Sequence, residues 1–217
     1  MRYAIYRIHY GLDFLGKSIE SVIDEVDKVF VFWSKRPWFK QCKDLPPLNE
    51  NVLEFCKKYD KVIVIEKEFD LPENQFKKMY DHVVSEYSKP DQVLMMEPDM
   101  VWDKEELKQI WKLENNEISF NQIEFWKNEQ WHIKRERPGP TLYNGTINKT
   151  LKGCWSDKRK THDTIKCFNY GFCLSPEVMK YKHEVAIQSS KYYKDSQPSK
   201  VWYEKKWLNW TPETEDL

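Results

Sequence analysis

Apolar and polar positions follow two rhythms along the first half of the chain. Tyr3–Tyr10 is rich in Ile and Tyr and reads as a strand. Lys17–Lys28 sets Ile19, Val22, Ile23 and Val26 at helical spacing. Val29-Phe-Val-Phe-Trp33 is an unbroken apolar run, the pattern of a strand buried on both faces. Asn51–Tyr59 is helical in character, and Lys61-Val-Ile-Val-Ile65 repeats the buried-strand pattern. Pro72–Ser88 carries Phe76, Met79, Tyr80, Val83, Val84 and Tyr87 on one helical face, and Gln92-Val-Leu-Met-Met96 is a fourth strand. Asp103-Lys-Glu-Glu106 opens the next helix with an acidic N-cap and a glutamate at N3, a capping-box pattern. Leu107, Ile110 and Trp111 form its buried face.

This β-α-β-α-β-α-β-α order implies a largely parallel sheet with helices on both faces. The second half is less regular. Glu117–Trp126, Gln130–Arg135 and Thr164–Leu174 predict strands, and Ser175-Pro176 predicts a helix start. Pro138–Thr161, with Gly139, Gly145, Gly153, Pro138 and Pro140, predicts a loop. No internal repeat is visible. At roughly 100–200 residues per domain, a single domain accounts for the chain.

Composition narrows the function. The 217 residues hold only 6 glycines, which argues against collagen, Gly-rich linkers and glycine-dependent solenoids. Thirty-five basic and 35 acidic residues give zero formal charge, a poor match to a nucleic-acid partner. The five cysteines (Cys42, Cys56, Cys154, Cys167 and Cys173) are odd in number and lack CxxC spacing, so neither a zinc centre nor a disulfide scaffold is implied. Free thiols suit a reducing compartment. Sequons at Asn144, Asn148 and Asn209 matter only in a secretory context. Met1-Arg-Tyr-Ala-Ile-Tyr-Arg-Ile-His9 has no apolar signal core, and no stretch reaches the ~18 apolar residues of a membrane span. The expectation is a cytoplasmic protein with no transmembrane segment.

Two motifs carry chemistry. Gly11-Leu-Asp-Phe-Leu-Gly16-Lys17-Ser18 fits the phosphate-loop pattern GxxxxGK[ST] between a strand and a helix, which would make the chain a nucleotide kinase. Its middle residues are bulky, however, and Asp13 would set a negative charge beside an anion. Met95-Met-Glu97-Pro-Asp99-Met-Val-Trp102 instead ends a buried strand with two carboxylates. Parallel α/β sheets bind ligands at the carboxyl ends of their strands. Two oxygen ligands there would hold Mn²⁺ or Mg²⁺ across a diphosphate and neutralise the charge on a leaving nucleoside diphosphate. Carboxylates need no glycine loop to do this, so the scarcity of glycine favours the acid pair.

The stretch Arg7-Ile-His-Tyr-Gly-Leu-Asp-Phe-Leu-Gly-Lys-Ser-Ile-Glu-Ser-Val22, followed by Val26-Asp-Lys-Val-Phe-Val-Phe-Trp-Ser34, resembles the start of a GT-A-type glycosyltransferase of the family-two-like kind. The resemblance continues through Asn74, the DxD-like Glu97-Pro-Asp99 and Asn169-Tyr-Gly-Phe172. Glu stands for the first Asp of DxD and Pro for its middle residue, and no Glu-Asp pair directly follows Phe172. The resemblance implies an α/β, Rossmann-type mixed sheet with helices on both faces in one domain. Residues 1–102 would be the nucleotide-binding half and 103–217 the acceptor half. It implies a hexosyltransferase-like enzyme moving a sugar from a nucleotide-sugar donor to a glycan or other hydroxyl acceptor, dependent on Mn²⁺ or Mg²⁺. Asp99 would ligate the metal, and Glu97 would contact the metal through water or the donor ribose. Arg7, His9, Ser34 and Asn74 would hold the donor.

An inverting transfer needs a base for the acceptor hydroxyl. Asp163, Glu184 and Asp195 are the candidates, and the resemblance favours Asp195, which follows the Asn169–Phe172 strand and a helix, where such enzymes present their base. His162 and His183 are further candidate metal ligands. Trp126, Trp131, Trp155, Trp202, Trp207 and Trp210 would fill a core or line a sugar-stacking groove. The groove would suit a non-catalytic carbohydrate-binding protein on the same fold.

Overall fold

The computed structural model describes residues 1–37, 42, 44–48, 51–69, 75–134, 137–145, 161–190 and 202–213, with backbone alone at 163, 189, 190, 202 and 205. The strands of the described residues form one nine-stranded sheet. β1 (Arg2–Ile8), β2 (Lys28–Trp33), β3 (Val62–Glu66) and β4 (Gln92–Met96) run parallel in the spatial order β3-β2-β1-β4. β5 is the two-residue strand Met100–Val101, β6 spans Glu117–Trp126, β7 Asn128–His132, β8 Arg137–Asn144 and β9 Thr161–Phe172. β8 lies antiparallel between β4 and β6; β6 runs parallel to β9; β5 closes the path antiparallel to β9. β7 makes a hairpin with β6. The parallel arrangement therefore holds for the first four strands, and the sheet is mixed beyond β4.

Strand alternation sends successive side chains to opposite faces. Ala4, Tyr6, Ile8, Val29, Val31, Leu94 and Met96 form one buried layer. It packs on Leu15, Ile19 and Val22 of α1 (Leu12–Val22), Val52 and Cys56 of α2 (Val52–Cys56), and Leu107 and Ile110 of α4 (Lys104–Ile110). Tyr3, Ile5, Phe30, Phe32, Val93 and Met95 face the other way, onto Phe76, Met79, Tyr80 and Val83 of α3 (Gln75–Glu86). The second half adds α5 (Pro176–Ser190) and the short π-type helix α6 (Trp202–Leu208). Trp126, Trp207, Trp210 and Tyr203 join Leu174, Val178 and Met179 in a separate core, with Trp131 half-buried against it. These rings pack on one another and on the sheet. Trp155 and the side chain of Trp202 lie outside the described residues.

Three local features depart from the sequence reading. First, α1 begins at Leu12, so the middle of the phosphate-loop pattern is helix, and Lys17 pairs on the surface with Glu129 at 2.9 Å. A phosphate cradle requires a loop of free backbone N–H groups there. Second, residues 137–144 form a central strand although Pro138, Gly139 and Pro140 lie in it. The β6–β8 register shifts between Ser119 and Asn121, the kind of irregularity that accommodates proline. Third, Asp103 caps α4 by accepting from Glu105 N at 2.9 Å and Glu106 N at 3.1 Å, while the Glu106 carboxylate accepts from Lys166 N of β9 instead of closing a capping box. Among the described residues, no helix is long and apolar enough to cross a membrane.

Asp103→Ala leaves two amides of the first turn of α4 without their acceptor. It is expected to cost about 1 kcal/mol, read as a lower urea midpoint at unchanged m-value. An unchanged midpoint would show that the cap contributes nothing.

Candidate functional site

β1, β2, β4, β6 and β9 run in one direction, so their carboxyl ends share one edge of the sheet. The strand order β3-β2-β1-β4 reverses between β1 and β4, the kind of position where open α/β sheets form a crevice. Directly after β4, Met100 N donates to Glu97 O at 3.2 Å and closes a turn over Glu97-Pro98-Asp99. The turn is fixed from two sides. Ser18 Oγ of α1 donates to Met100 O, and Ser21 Oγ accepts from Trp102 N at 3.2 Å. Across the sheet, Tyr170 N donates to Asp99 O at 2.8 Å. The two serines interrupt the apolar face of α1 because their hydroxyls satisfy this backbone.

The two carboxylates meet different partners. Glu97 is paired with Arg7, whose guanidinium also donates to Gln75 Oε1 at 3.3 Å and lies 4.8 Å from the Phe76 ring centroid. Both members of the pair are largely out of solvent. Asp99 faces β9 and α5. A methyl group added at Gly171 would lie 2.7 Å from Asp99 Oδ2, 2.9 Å from Asn169 Oδ1 and 3.0 Å from Lys182 Nζ, so only glycine lets these three groups crowd one stretch of backbone. Among the described residues, the buried Asp99 Oδ1 has no hydrogen-bond partner. Burial pushes the Asp99 carboxyl up to about 6; the Lys182 charge opposes this, and the Glu97 and Glu124 charges add to it. Burial also raises the Tyr10 hydroxyl, with the charges of Asp99 and Glu97 adding to the effect.

A polar layer continues into β6. Asn169 Nδ2 donates to Gln122 Oε1 at 3.0 Å, and Gln122 Nε2 to Glu124 Oε1 at 3.3 Å. Glu124 is 1% exposed and pairs with Arg137 at 3.3 Å. Sequence reasoning did not single out Gln122, Glu124, Arg137 or Lys182. A signal for two of them was present: Gln122 and Glu124 share the alternating inward positions of β6 with Ile118, Phe120 and Trp126. Two carboxamide or carboxylate side chains in an apolar register need polar partners.

The structure brings Arg7, Glu97 and Asp99 to the same strand edge, and His9 and Ser34 to the neighbouring strand ends. His9 Nδ1 faces Ser34 O at 2.7 Å and His9 Nε2 faces Tyr181 OH at 3.0 Å. A carbonyl only accepts, so Nδ1 carries the proton and Tyr181 donates to Nε2. His9 thus ties β1 to β2 and α5. Ser34 Oγ donates to Arg36 O at 2.6 Å. Asn74 and Asp195 lie outside the described residues, as does the side chain of Asp163 in β9. Glu184 is on α5, two residues from Lys182 and so on a different side of the helix. His183 stacks on Tyr203 at 4.7 Å, and His162 Nδ1 accepts from Ile165 N at 3.1 Å within the irregular start of β9.

Among the described residues, no group of three or more His, Cys, Asp or Glu side chains forms a metal cage. The donor set nevertheless suits an ion that brings other ligands with it. Asp99 Oδ1 is a buried carboxylate oxygen, unpartnered among the described residues, and Mg²⁺ is commonly held by one or two carboxylates plus substrate phosphates and water. Glu97 is engaged by Arg7.

Burial lowers the His9 imidazole from 6.5 to about 4, against the Ser34 carbonyl, which favours its charged form. Between these values the unfolded chain binds a proton that the folded protein refuses, so stability falls as pH drops from 6.5 to 4. Urea unfolding across this window is expected to show a steeper loss for wild type than for His9→Asn. Parallel pH profiles would contradict the assignment.

No protein-family model matches the chain, and no curated protein matches it in sequence. The solved structures that match include glycosyltransferases and nucleotidyltransferases. S. aureus TarS 1–349 in complex with UDP-GlcNAc is 12% identical, with a TM-score of 0.49 over 92% of this chain and 69% of that one. The inositol-1-phosphate CTP transferase from T. maritima is 11% identical, with a TM-score of 0.48 over 85% and 96%. GalNAc-T7 with UDP, GalNAc and Mn²⁺ is 12% identical, with a TM-score of 0.46 over 94% and 52%.

Proposed function

We propose that the chain is a glycosyltransferase that moves a sugar from a nucleotide-sugar donor to a hydroxyl acceptor, with Mn²⁺ or Mg²⁺ arriving on the donor's diphosphate. The observation that supports this most is Asp99 Oδ1 at the carboxyl end of β4, held in a doubly pinned turn and unpartnered among the described residues. Asp99 would hold the ion, which would supply charge neutralisation for the leaving nucleoside diphosphate. Glu97 and Gln75 hold the Arg7 guanidinium at the same edge, a rigid cation for the donor's anionic groups.

In the transfer, the acceptor oxygen forms a bond to the anomeric carbon. The bond from that carbon to the diphosphate breaks, and the diphosphate leaves with the electron pair. The hydroxyl proton passes to a carboxylate, for which Asp195, Asp163 and Glu184 are the candidates. His9 and Ser34 act by fixing the strand ends beside the donor.

Turnover of a panel of nucleotide sugars, followed by release of nucleoside diphosphate with Mn²⁺ and with EDTA, tests the proposal. Asp99→Asn is expected to lower Mn²⁺-supported turnover about 100-fold or more, the scale of a lost metal contact. Metal-supported turnover that survives Asp99→Asn would reject the site, and absence of turnover with every donor would reject the activity.

A further inference from the structure

Lys182 is the cation that acts most strongly on Asp99, and the transfer step does not use it. It sits mid-helix in α5 between two anchored neighbours. Tyr181 OH meets His9 Nε2 at 3.0 Å, and the His183 ring stacks 4.7 Å from Tyr203. The backbone at Lys182 is therefore held firmly, while its four-carbon stem carries several rotatable bonds. Lys182 Nζ donates to Gly171 O at 2.6 Å and lies 5.1 Å from the Phe172 ring centroid. The backbone of Gly171 is also where Asp99 Oδ2 and Asn169 Oδ1 converge. The ammonium has three donors, and Gly171 O takes one.

A divalent cation placed on Asp99 would sit beside this ammonium in a poorly hydrated site, where like charges repel more strongly than in water. A donor diphosphate reverses the balance. It supplies oxygen ligands to the metal and acceptors to Lys182, and lysine is a mobile point charge well suited to phosphate. We propose that Lys182 is the resident counter-ion of Asp99, withdrawn by the donor's diphosphate, so that metal and nucleotide bind together and the free protein holds metal weakly. This rests on the transferase reading of the Asp99 site, and it adds a residue that couples the two ligands.

Mn²⁺ titrations followed by electron paramagnetic resonance test it, alone and with ADP, UDP, GDP and CDP in turn. For wild type, one of the nucleotides is expected to tighten Mn²⁺ binding at least about tenfold, and Lys182→Met alone to bind Mn²⁺ about tenfold more tightly than wild type, on the scale of removing one nearby like charge. The tightening by nucleotide should shrink in the variant. Lys182→Arg keeps the charge and should behave as wild type. Lys182→Gln serves in place of Lys182→Met if circular dichroism shows that the methionine variant does not fold. Mn²⁺ affinity unchanged on neutralising Lys182, or a gain that persists in Asp99→Asn/Lys182→Met, would overturn the role of Lys182 while leaving the transferase reading intact. Wild type that binds none of the nucleotides, with or without Mn²⁺, would overturn both.

Discussion

The turn from Glu97 to Met100 is the constraint on which the candidate site depends. β4 has parallel β1 on one side and antiparallel β8 on the other, and the chain leaving β4 must reverse to pair Met100 with Asn169 of β9. Ser18 and Ser21 satisfy the backbone on one side of that reversal, and Tyr170 N satisfies Asp99 O on the other. With both sides fixed, the two carboxylates diverge: Glu97 goes to Arg7, and Asp99 to Gly171 and Lys182. A buried acid is costly to leave without a cation. Arg7 and Lys182 reduce that cost in two ways. Arg7 does so in a buried, hydrogen-bonded pair, and Lys182 by its charge alone, from its bond to Gly171 O.

This division has a functional sense. A guanidinium held by Glu97 and Gln75 is preorganised, so little reorganisation remains when an anion arrives. An ammonium on a long stem can change partners. The polar layer of Gln122, Glu124 and Asn169 underlies this edge and holds Gly171 N through Asn169 Oδ1 at 2.8 Å. The structure thus sets a connected group of buried polar side chains beneath the candidate site.

Much of this was legible in the sequence, for local reasons. Val29–Trp33, Lys61–Ile65 and Gln92–Met96 are apolar runs too short for helices, and each is a parallel strand within a residue of its expected limits. The stripe from Phe76 to Val84 is a helix because its spacing admits little else. The acid pair was visible because it ends such a run. The strand at 137–144 was not, since Pro138-Gly-Pro reads locally as a turn, and only its place between β4 and β6 makes it a strand. Lys182 was invisible for a similar reason. One lysine on a helix surface looks like any other until the fold sets it against Gly171. The phosphate-loop pattern failed because Leu12, Phe14 and Leu15, which made it doubtful as a loop, belong to the start of α1.

A crystal structure of the protein soaked with Mn²⁺ and a nucleoside diphosphate tests the central claim most directly. An ion is expected beside Asp99 Oδ1, the diphosphate at the carboxyl ends of β1 and β4, and the Lys182 ammonium on a phosphate oxygen instead of at Gly171. Nucleotide bound at Gly11–Ser18, or anywhere else with the Asp99–Lys182 arrangement undisturbed, would contradict it.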